Sequence, residues 1–246
     1  YIMFKCAFLG CEGRARGHAH AYKFIKRGKI VAICDFKDEL RNKFGDDFGI
    51  EKRYKDIHEM LDKEKPNLLH IVTAPFLRGT TTPIRYSLNI ASEHGVPSAI
   101  VEKPIAVMSE DWRDLKELSK RTKTKFVVNT QLNFHPKNLE LKQDVAEGKI
   151  GEIKFIDASA RLTPVDLGNL MSPRVLEDTG DHAHKRVMVV GTRGFVHWLE
   201  DDLKVHPTHL DQSLAEFNIL LGIYQSALTH APVDLPFDPP FQMPIQ

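Results

Sequence analysis

Short apolar runs alternate with amphipathic stretches along the first half of the chain. Each run is long enough for a buried strand, and each amphipathic stretch repeats its apolar residues at helical spacing. The predicted strands are Phe4–Leu9, Ile30–Cys34, Leu68–Thr73, Ser98–Val101 and Lys125–Asn129. The predicted helices are His18–Lys26, Asp38–Phe48, Ile57–Leu61, Pro83–His94 and Asp111–Arg121. This order predicts an α/β domain with a doubly wound parallel sheet and helices on both faces.

The alternation ends after Asn129, and we expect a second domain there. The remaining predicted elements are a helix over Asn138–Glu147, a strand over Glu152–Ala160, a hairpin of Val187–Val190 and Phe195–Leu199, and a helix over Leu210–Leu228. A hairpin with a Gly191–Gly194 turn is typical of antiparallel pairing. The sequence therefore predicts a dinucleotide-type domain over residues 1–128 and a mainly antiparallel α+β domain over residues 129–246.

Composition narrows the classes of partner. The formal net charge is +1, with 42% hydrophobic and 27% charged residues, so no strong field attracts nucleic acid or an anionic membrane. The cysteines have neither disulfide nor metal-ligand spacing, and no apolar stretch is long enough to cross a bilayer. We expect a cytoplasmic protein that acts on a small molecule and binds no metal, no nucleic acid and no membrane.

The turn after the first strand is a candidate phosphate site. Backbone N–H groups and the helix dipole converge where a strand turns into a helix. Of the three glycines in the dinucleotide fingerprint only Gly10 is kept, because Glu12 and Ala15 occupy the second and third places. Gly13, Arg14 and Arg16 could partly compensate for the repulsion between Glu12 and a diphosphate. Either this turn holds the diphosphate of a dinucleotide or it is only a turn.

An acid at the end of the second strand favours a dinucleotide site over a plain turn. Asp35 follows Gly10 by about 25 residues, close to the place where a carboxylate accepts hydrogen bonds from the adenosine ribose. Its charge would repel a 2′-phosphate, so we expect NAD rather than NADP. Lys37 is the one nearby residue that could favour the phosphate, and the alternative for Asp35 is a solvated residue that begins a turn.

A third motif, Glu102-Lys103-Pro104, follows the strand Ser98–Val101. Residues just past the carboxyl ends of parallel strands line the ligand crevice. We therefore expect Lys103 to face substrate or nicotinamide, where a lysine can take part in proton transfer or donate hydrogen bonds. A cis peptide bond before Pro104 would direct the lysine. Taken alone, such a tripeptide is more often part of a surface loop.

Together the motifs resemble the Gfo/Idh/MocA oxidoreductases over nearly the whole chain. The motifs in chain order are Gly10–His18, Asp35, Thr73-Ala74-Pro75, Glu102-Lys103-Pro104, Gln131–Pro136, Gly148–Ile153, Gly191–Gly194 and Ile223–Pro236. The resemblance implies an N-terminal Rossmann domain followed by an open, mainly antiparallel sheet. It also implies NAD(P)-dependent oxidation or reduction at a hydroxyl-bearing carbon of a sugar or other polyol, in an oligomer such as a dimer or tetramer.

The resemblance also implies roles for individual residues. Thr73 and Pro75 would border the cofactor between adenosine and nicotinamide, Glu102 would lie near the nicotinamide ribose, and Lys103 would be catalytic. The family supplies its catalytic histidine from Asp-x-Gly-x-His-x-x-Asp, and the nearest string here ends at His182. The alternative for His182 is an exposed histidine in a polar turn.

Residues 161–186 look too short for the elements that the family places there. A deletion and an omitted segment are both open explanations.

A NAD-dependent dehydrogenase is the main functional hypothesis. A nucleotide-binding regulator or pseudoenzyme on the same fold is the first alternative, and a glycosidase that regenerates its bound NAD is the second.

Overall fold

The computed structural model describes residues 3–73, 83–130, 136–152, 198–199 and 201–240. By its internal contacts the chain divides into two units, one of residues 1–130 with 194–246 and one of residues 131–193. The described part of the second unit is the helix α6, Pro136–Ala146, and the turn after it. The predicted domain boundary at residue 128 stays a prediction.

Six parallel strands form the sheet of the first unit, in the spatial order β3-β2-β1-β4-β5-β6. This order reverses between β1 and β4, as in the Rossmann type of doubly wound sheet. The strands are β1 Phe4–Leu9, β2 Gly28–Cys34, β3 Arg53–Tyr54, β4 Leu68–Ile71, β5 Ser98–Glu102 and β6 Lys125–Asn129. The predicted doubly wound sheet is confirmed for this half, and β3, too short for an apolar pattern, is an addition to the prediction.

Helices connect the strands and share their apolar core. They are α1 Gly13–Ala21, α2 Asp38–Phe48, α3 Ile57–Glu64, α4 Pro83–Glu93 and α5 Ser109–Arg121. All residues of β4 and β5 are buried, because helices cover both faces of a parallel sheet. At the α3 N-terminus the Asp56 side chain accepts from the Glu59 N–H at 2.8 Å, a standard cap. Acids in the first turn of α5 and bases in its last turn complement the helix dipole.

The first helix differs from its prediction. It begins at Gly13, directly after the turn, whereas the apolar spacing predicted His18–Lys26. The apolar residue Tyr22 lies in a short 3₁₀ turn instead. Gly28 begins β2 and packs so closely that an added Cβ would come within 2.8 Å of the Tyr22 ring. The prediction failed because a short 3₁₀ turn can show the same apolar spacing as a helix.

The long C-terminal helix, α7 Leu210–Thr229, belongs to the first unit, whereas the sequence prediction grouped it with the second domain. It packs against α5, where the Trp112 Nε1–H donates to the Leu214 carbonyl at 2.9 Å. Just before it, the Val128 N–H of β6 donates to the Thr208 carbonyl at 2.9 Å. Asn218 holds the chain that follows through two hydrogen bonds with the Phe237 backbone. The α7 segment therefore completes the core beside β6.

Candidate functional site

The turn after β1 requires glycine at residue 10. Gly10 has a φ of +97°, and a Cβ on it would lie 2.5 Å from the carbonyl oxygen of Val72. An L side chain would therefore be strained in the backbone and would collide with the end of β4. The Gly10 N–H donates to the Cys34 carbonyl at 2.8 Å. The turn is thus held against the carboxyl ends of both neighbouring strands.

The N-terminus of α1 opens at this turn. Glu12, in extended conformation, precedes the helix and makes no capping hydrogen bond with its side chain, and the first turn carries no acid. The first N–H groups of a helix have no partner within it, so they attract an anion. A Cβ on Gly13 would meet nothing within 4 Å, so the space beside the helix end is open. Ala15 is fully buried, where a small side chain lets the helix approach the sheet.

The carboxylate of Glu12 is paired with a cation. Its Oε1 lies 3.1 Å from Lys37 Nζ, and both side chains are about half exposed. The pair joins the loop after β1 to the loop after β2. The charge that would oppose a diphosphate is therefore partly neutralised, and the cation that would favour a 2′-phosphate already has a carboxylate partner.

Asp35 lies where β2 ends and is held by backbone amides of both loops. Its Oδ2 accepts from the Cys11 N–H at 2.9 Å, and its Oδ1 accepts from the Lys37 N–H at 2.9 Å. The residue is buried, and Arg41 Nη1 donates to its carbonyl at 2.6 Å. Since each carboxylate oxygen has two acceptor positions, each oxygen can still accept a hydrogen bond from a ligand hydroxyl.

Thr73 follows the end of β4, one residue beyond the carbonyl that faces Gly10. Its Oγ1 is buried and has no hydrogen-bond partner among the residues that the structure describes. A buried hydroxyl without a partner is costly, and it indicates a group that binds there. The hydroxyl lies beside the glycine turn, where a ligand at the helix N-terminus would pass.

Glu102 is the last residue of β5 and is buried with three polar neighbours. Its Oε1 accepts from His18 Nε2 at 2.7 Å and from Asn129 Nδ2, and its Oε2 lies 4.0 Å from Arg14 Nε. Burial alone would raise the pKa of this carboxyl, but these neighbours outweigh burial and the pKa is lowered. The buried carboxylate is thus ionised at neutral pH. Arg14 also ties the glycine turn to the end of β5.

Lys103 comes directly after Glu102 and is exposed. The predicted cis peptide bond between Lys103 and Pro104 is confirmed.

Burial, the largest cause, raises the pKa of the Cys11 and Cys34 thiols to about 12, so neither is a thiolate nucleophile at neutral pH.

The fold brings most of the predicted site residues to one edge of the sheet, at the carboxyl ends of β1, β2, β4 and β5. The residues at this edge are Gly10, Glu12, Gly13, Arg14, Ala15, Asp35, Thr73, Glu102 and Lys103. Pro75 and His182 lie outside the described residues. Within the described ranges no cluster of His, Cys, Asp and Glu could hold a metal, and no helix there is long and apolar enough to span a membrane.

The sequence prediction missed four polar residues behind this edge: His18, Tyr22, His70 and Asn129. The start of α1 was placed too late, so the shared face of Arg14 and His18 was not recognised. His70 did carry a signal. It is the one polar residue of the buried β4, and a buried polar group needs a hydrogen-bond partner.

Comparison with known proteins agrees with this geometry. The family model described as an oxidoreductase family with an NAD-binding Rossmann fold matches residues 4–130. A D-apiose dehydrogenase of Paraburkholderia graminis is 32% identical over 60% of this chain and 38% of its own length. A myo-inositol 2-dehydrogenase of Thermotoga maritima is 25% identical over 58% of this chain and 41% of its own.

A solved structure is also similar. It is an oxidoreductase from Agrobacterium radiobacter in complex with NAD+, L-tartaric acid and magnesium, with a TM-score of 0.54 and 28% identity over 61% of this chain and 42% of that one. The chain therefore spans about two fifths of the length of these relatives.

Proposed function

This chain belongs to the Gfo/Idh/MocA oxidoreductase family, and on that premise we propose that it carries the cofactor-binding domain of an NAD-dependent dehydrogenase. The proposed reaction transfers hydride between nicotinamide and a hydroxyl-bearing carbon of a sugar, cyclitol or related compound. One observation carries the proposal. The buried carboxylate of Asp35 is hydrogen-bonded to the glycine turn at Cys11 N–H, which sets a ribose acceptor beside a phosphate site.

Two features of the described residues fit a bound dinucleotide. The missing side chain at Gly10 lets the loop approach the end of β4, and the Thr73 hydroxyl is buried without a partner. In the proposal Gly10, Gly13, Arg14 and Ala15 surround the diphosphate, with Glu12 turned toward Lys37. Asp35 accepts from the adenosine ribose, Thr73 and Pro75 border the cofactor between adenosine and nicotinamide, and Glu102 lies near the nicotinamide ribose.

NAD is the proposed cofactor rather than NADP for an electrostatic reason. The Asp35 carboxylate would face a 2′-phosphate, and Lys37 already pairs with Glu12 at 3.1 Å. A 2′-phosphate would therefore meet one carboxylate at close range and would compete with a second one for the nearest cation.

Lys103 is proposed to hold and remove the hydroxyl proton. When bound, the cofactor supplies the hydride acceptor. Lys103 follows the buried Glu102 at the edge of the sheet that bears the other site residues, and its exposed side-chain amine, which accepts a proton in its neutral form, can reach a substrate there. Holding substrate and cofactor in one crevice supplies much of the rate of such a reaction. His182 is kept as a proposed second catalytic group, and a sugar or polyol as the proposed substrate.

A nucleotide-binding regulator on the same fold is a second candidate. The observation that favours it is Glu12, which occupies a glycine position of the fingerprint and leaves a carboxylate beside the phosphate site. A cytoplasmic location and a homo-oligomer are kept as proposals that accompany either function.

Two measurements test the proposal. In calorimetry the chain is expected to bind NADH more tightly than NADPH. In a panel of sugars and polyols with NAD, the reduced cofactor is followed by absorbance, and Lys103→Ala should abolish turnover while NADH affinity stays nearly unchanged. Lys120→Ala is the matched control, because the partner of this exposed lysine among the described residues is Glu117 on the same helix, α5.

The outcomes separate the candidates. Binding without turnover on any compound favours the regulator, and release of a leaving group without net NADH favours the redox-cycling glycosidase. No heat with either cofactor would overturn nucleotide binding, and full turnover by Lys103→Ala would overturn the role of Lys103.

A further inference from the structure

A chain of buried polar side chains runs from Glu102 into the core. His18 Nε2 is 2.7 Å from Glu102 Oε1, His18 Nδ1 is 3.3 Å from His70 Nδ1, and His70 Nε2 is 2.6 Å from the Tyr22 hydroxyl. His18, His70 and Glu102 are exposed by 4%, 1% and 5%. The hydride chemistry proposed above makes no use of the two histidines or the tyrosine.

A row of buried, hydrogen-bonded polar side chains costs desolvation free energy that an apolar core does not. Each polar group loses its hydration on burial and recovers it only through a good hydrogen bond, and apolar side chains of similar volume are often at least as stable. The inner end of this row is the partly buried Tyr22, which interacts with Cys6, whose thiol donates to the Phe4 carbonyl. The other end, Glu102, lies at the edge of the sheet that bears the candidate site residues.

The three contacts can be satisfied in one direction. Tyr22 O–H donates to His70 Nε2, His70 Nδ1–H donates to His18 Nδ1, and His18 Nε2–H donates to Glu102 Oε1. Every contact then has one proton, and all three dipoles point toward the carboxylate. Hydrogen bonds in series polarise one another, which strengthens the last one.

The two carboxylate oxygens of Glu102 have different neighbours. Oε1 accepts hydrogen bonds from both His18 and Asn129, whereas the neighbour of Oε2 among the described residues is Arg14 Nε at 4.0 Å. That separation is longer than a hydrogen bond. Oε2 is therefore the oxygen with room to accept from a ligand.

We propose that His18 and His70 are positioning residues for Glu102, which hold Oε1 so that Oε2 stays an ionised acceptor for a hydroxyl of the nicotinamide ribose. The inference rests on the proposed NAD binding and deepens it. The histidines act through Glu102 and do not contact the cofactor themselves.

The charge states agree with this geometry. Burial, the largest cause, lowers the pKa of His70 well below its usual range, and burial and Cys6 raise the pKa of Tyr22. His70 is therefore a neutral ring and Tyr22 keeps its proton at neutral pH. The uncharged ring of Phe8 stacks on His70 at 4.3 Å, and the polar groups of the described residues that face Glu102 are His18, Asn129 and Arg14.

A double-mutant cycle on NADH affinity tests the proposal. His70→Phe keeps the stacking on Phe8 but removes the donor to His18, and Glu102→Gln keeps an oxygen for His18 while it replaces Oε2 by an NH₂ group. Each single change is expected to weaken NADH binding about tenfold, the scale of one charged hydrogen bond. The double variant should be no weaker than Glu102→Gln alone, because His70 acts through the lost oxygen.

Two further variants separate positioning from folding. His70→Asn places an N–H near the position of Nδ1 and should restore affinity to within about threefold of the unchanged chain. His94→Phe is the matched control, since it breaks another histidine pair, with 2.7 Å between His58 Nδ1 and His94 Nε2, remote from the edge of the sheet that bears Glu102. This control should bind NADH as the unchanged chain does.

Nitrogen-15 NMR of the imidazoles gives a readout that needs no cofactor. The expected signals are a neutral His70 with its proton on Nδ1 and a proton of His18 on Nε2. A His70 proton on Nε2 would overturn the proposed direction of the chain. Additive losses in the double variant, or unchanged affinity in His70→Phe, would overturn the positioning role alone, whereas no NADH binding by the unchanged chain would overturn the proposed function with it.

Discussion

The two ends of the candidate site are built in different ways. At the Asp35 end the carboxylate is held by backbone amides of two adjacent loops, with an exposed ion pair of Glu12 and Lys37 above it. At the Glu102 end the carboxylate is held by side chains from α1 and β6, which are backed by β4. Backbone amides are present whatever the sequence, so the first end tolerates change around it, whereas each side chain of the second end is required.

The two ends of the site also differ in how far their polar contacts are exposed to solvent. The Glu12–Lys37 pair is about half exposed, so water and salt screen it and its contribution is small. The contacts of Glu102 are buried, where each hydrogen bond is stronger and each unpaired group is costlier. We therefore expect changes at the Asp35 end to alter cofactor choice, and changes at the Glu102 end to alter stability and cofactor affinity together.

The largest effect is expected at the glycine turn that both ends share. Gly10→Ala forces a side chain onto a residue with φ of +97° and places its Cβ 2.5 Å from the Val72 carbonyl oxygen. The free energy of unfolding should fall by roughly 2–4 kcal/mol, measured by urea denaturation. Gly13→Ala is the control, because its Cβ meets nothing within 4 Å and alanine favours a helix. Equal stability of both variants would contradict the strained turn.

At the Asp35 end the strongest expected effect is on binding. Asp35→Ala removes the acceptor for the ribose hydroxyls and leaves two loop amides without their carboxylate. NADH affinity should fall by about 3 kcal/mol, or more than a hundredfold, and NADPH affinity by less, since a repulsive charge is lost at the same time. Calorimetry with both cofactors measures this, and an equal loss for the two would argue against Asp35 as the selective group.

At the Glu102 end we expect a pH dependence of stability. The pKa of buried His70 is lowered below its usual 6.5, so below that pH the unfolded chain binds a proton that the folded chain does not. Stability from this group is therefore present above pH 6.5 and is lost as the pH falls, with a slope that approaches about 1.4 kcal/mol per pH unit.

Urea denaturation at pH 5.5, 6.5 and 7.5 checks this slope, and His70→Phe should lack it. Glu102 has the same sign, since its pKa is lowered from 4.5. Its contribution is lost only below that value, so the two groups act in separate pH windows. A His70→Phe chain with an unchanged slope between pH 5.5 and 6.5 would show that another group titrates there.

The smallest effect is expected at the exposed pair. Glu12→Gln frees Lys37 from its carboxylate partner and should raise NADPH affinity about twofold to threefold with little change for NADH, a range set by solvent screening. The measurement is calorimetry at low and high salt, and the gain should shrink at high salt. Lys63→Gln, which breaks the exposed pair with Glu59 on α3, is the matched control and should leave both affinities unchanged.

Much of the Rossmann half could be predicted because its buried strands appear as apolar runs in the sequence. The apolar runs predicted β1, β4, β5 and β6 with ends within a few residues of the structure, since a strand buried on both faces is continuously apolar. The start of α1 was wrong because a helix that begins at a glycine turn with polar residues has little apolar pattern. The short β3 was missed because two half-buried residues carry no pattern.

The sequence by itself determined the order of strands and helices, the glycine that the turn requires and the acid at the end of β2. These features depend on residues that are neighbours along the chain or on burial that repeats with it. The tertiary structure alone decided that Lys37 pairs with Glu12, that α7 packs on α5, and that His18 lies against Glu102, 84 positions away. Contacts of that kind are set by which strands pair and in which register, and no local pattern of polar and apolar residues encodes them.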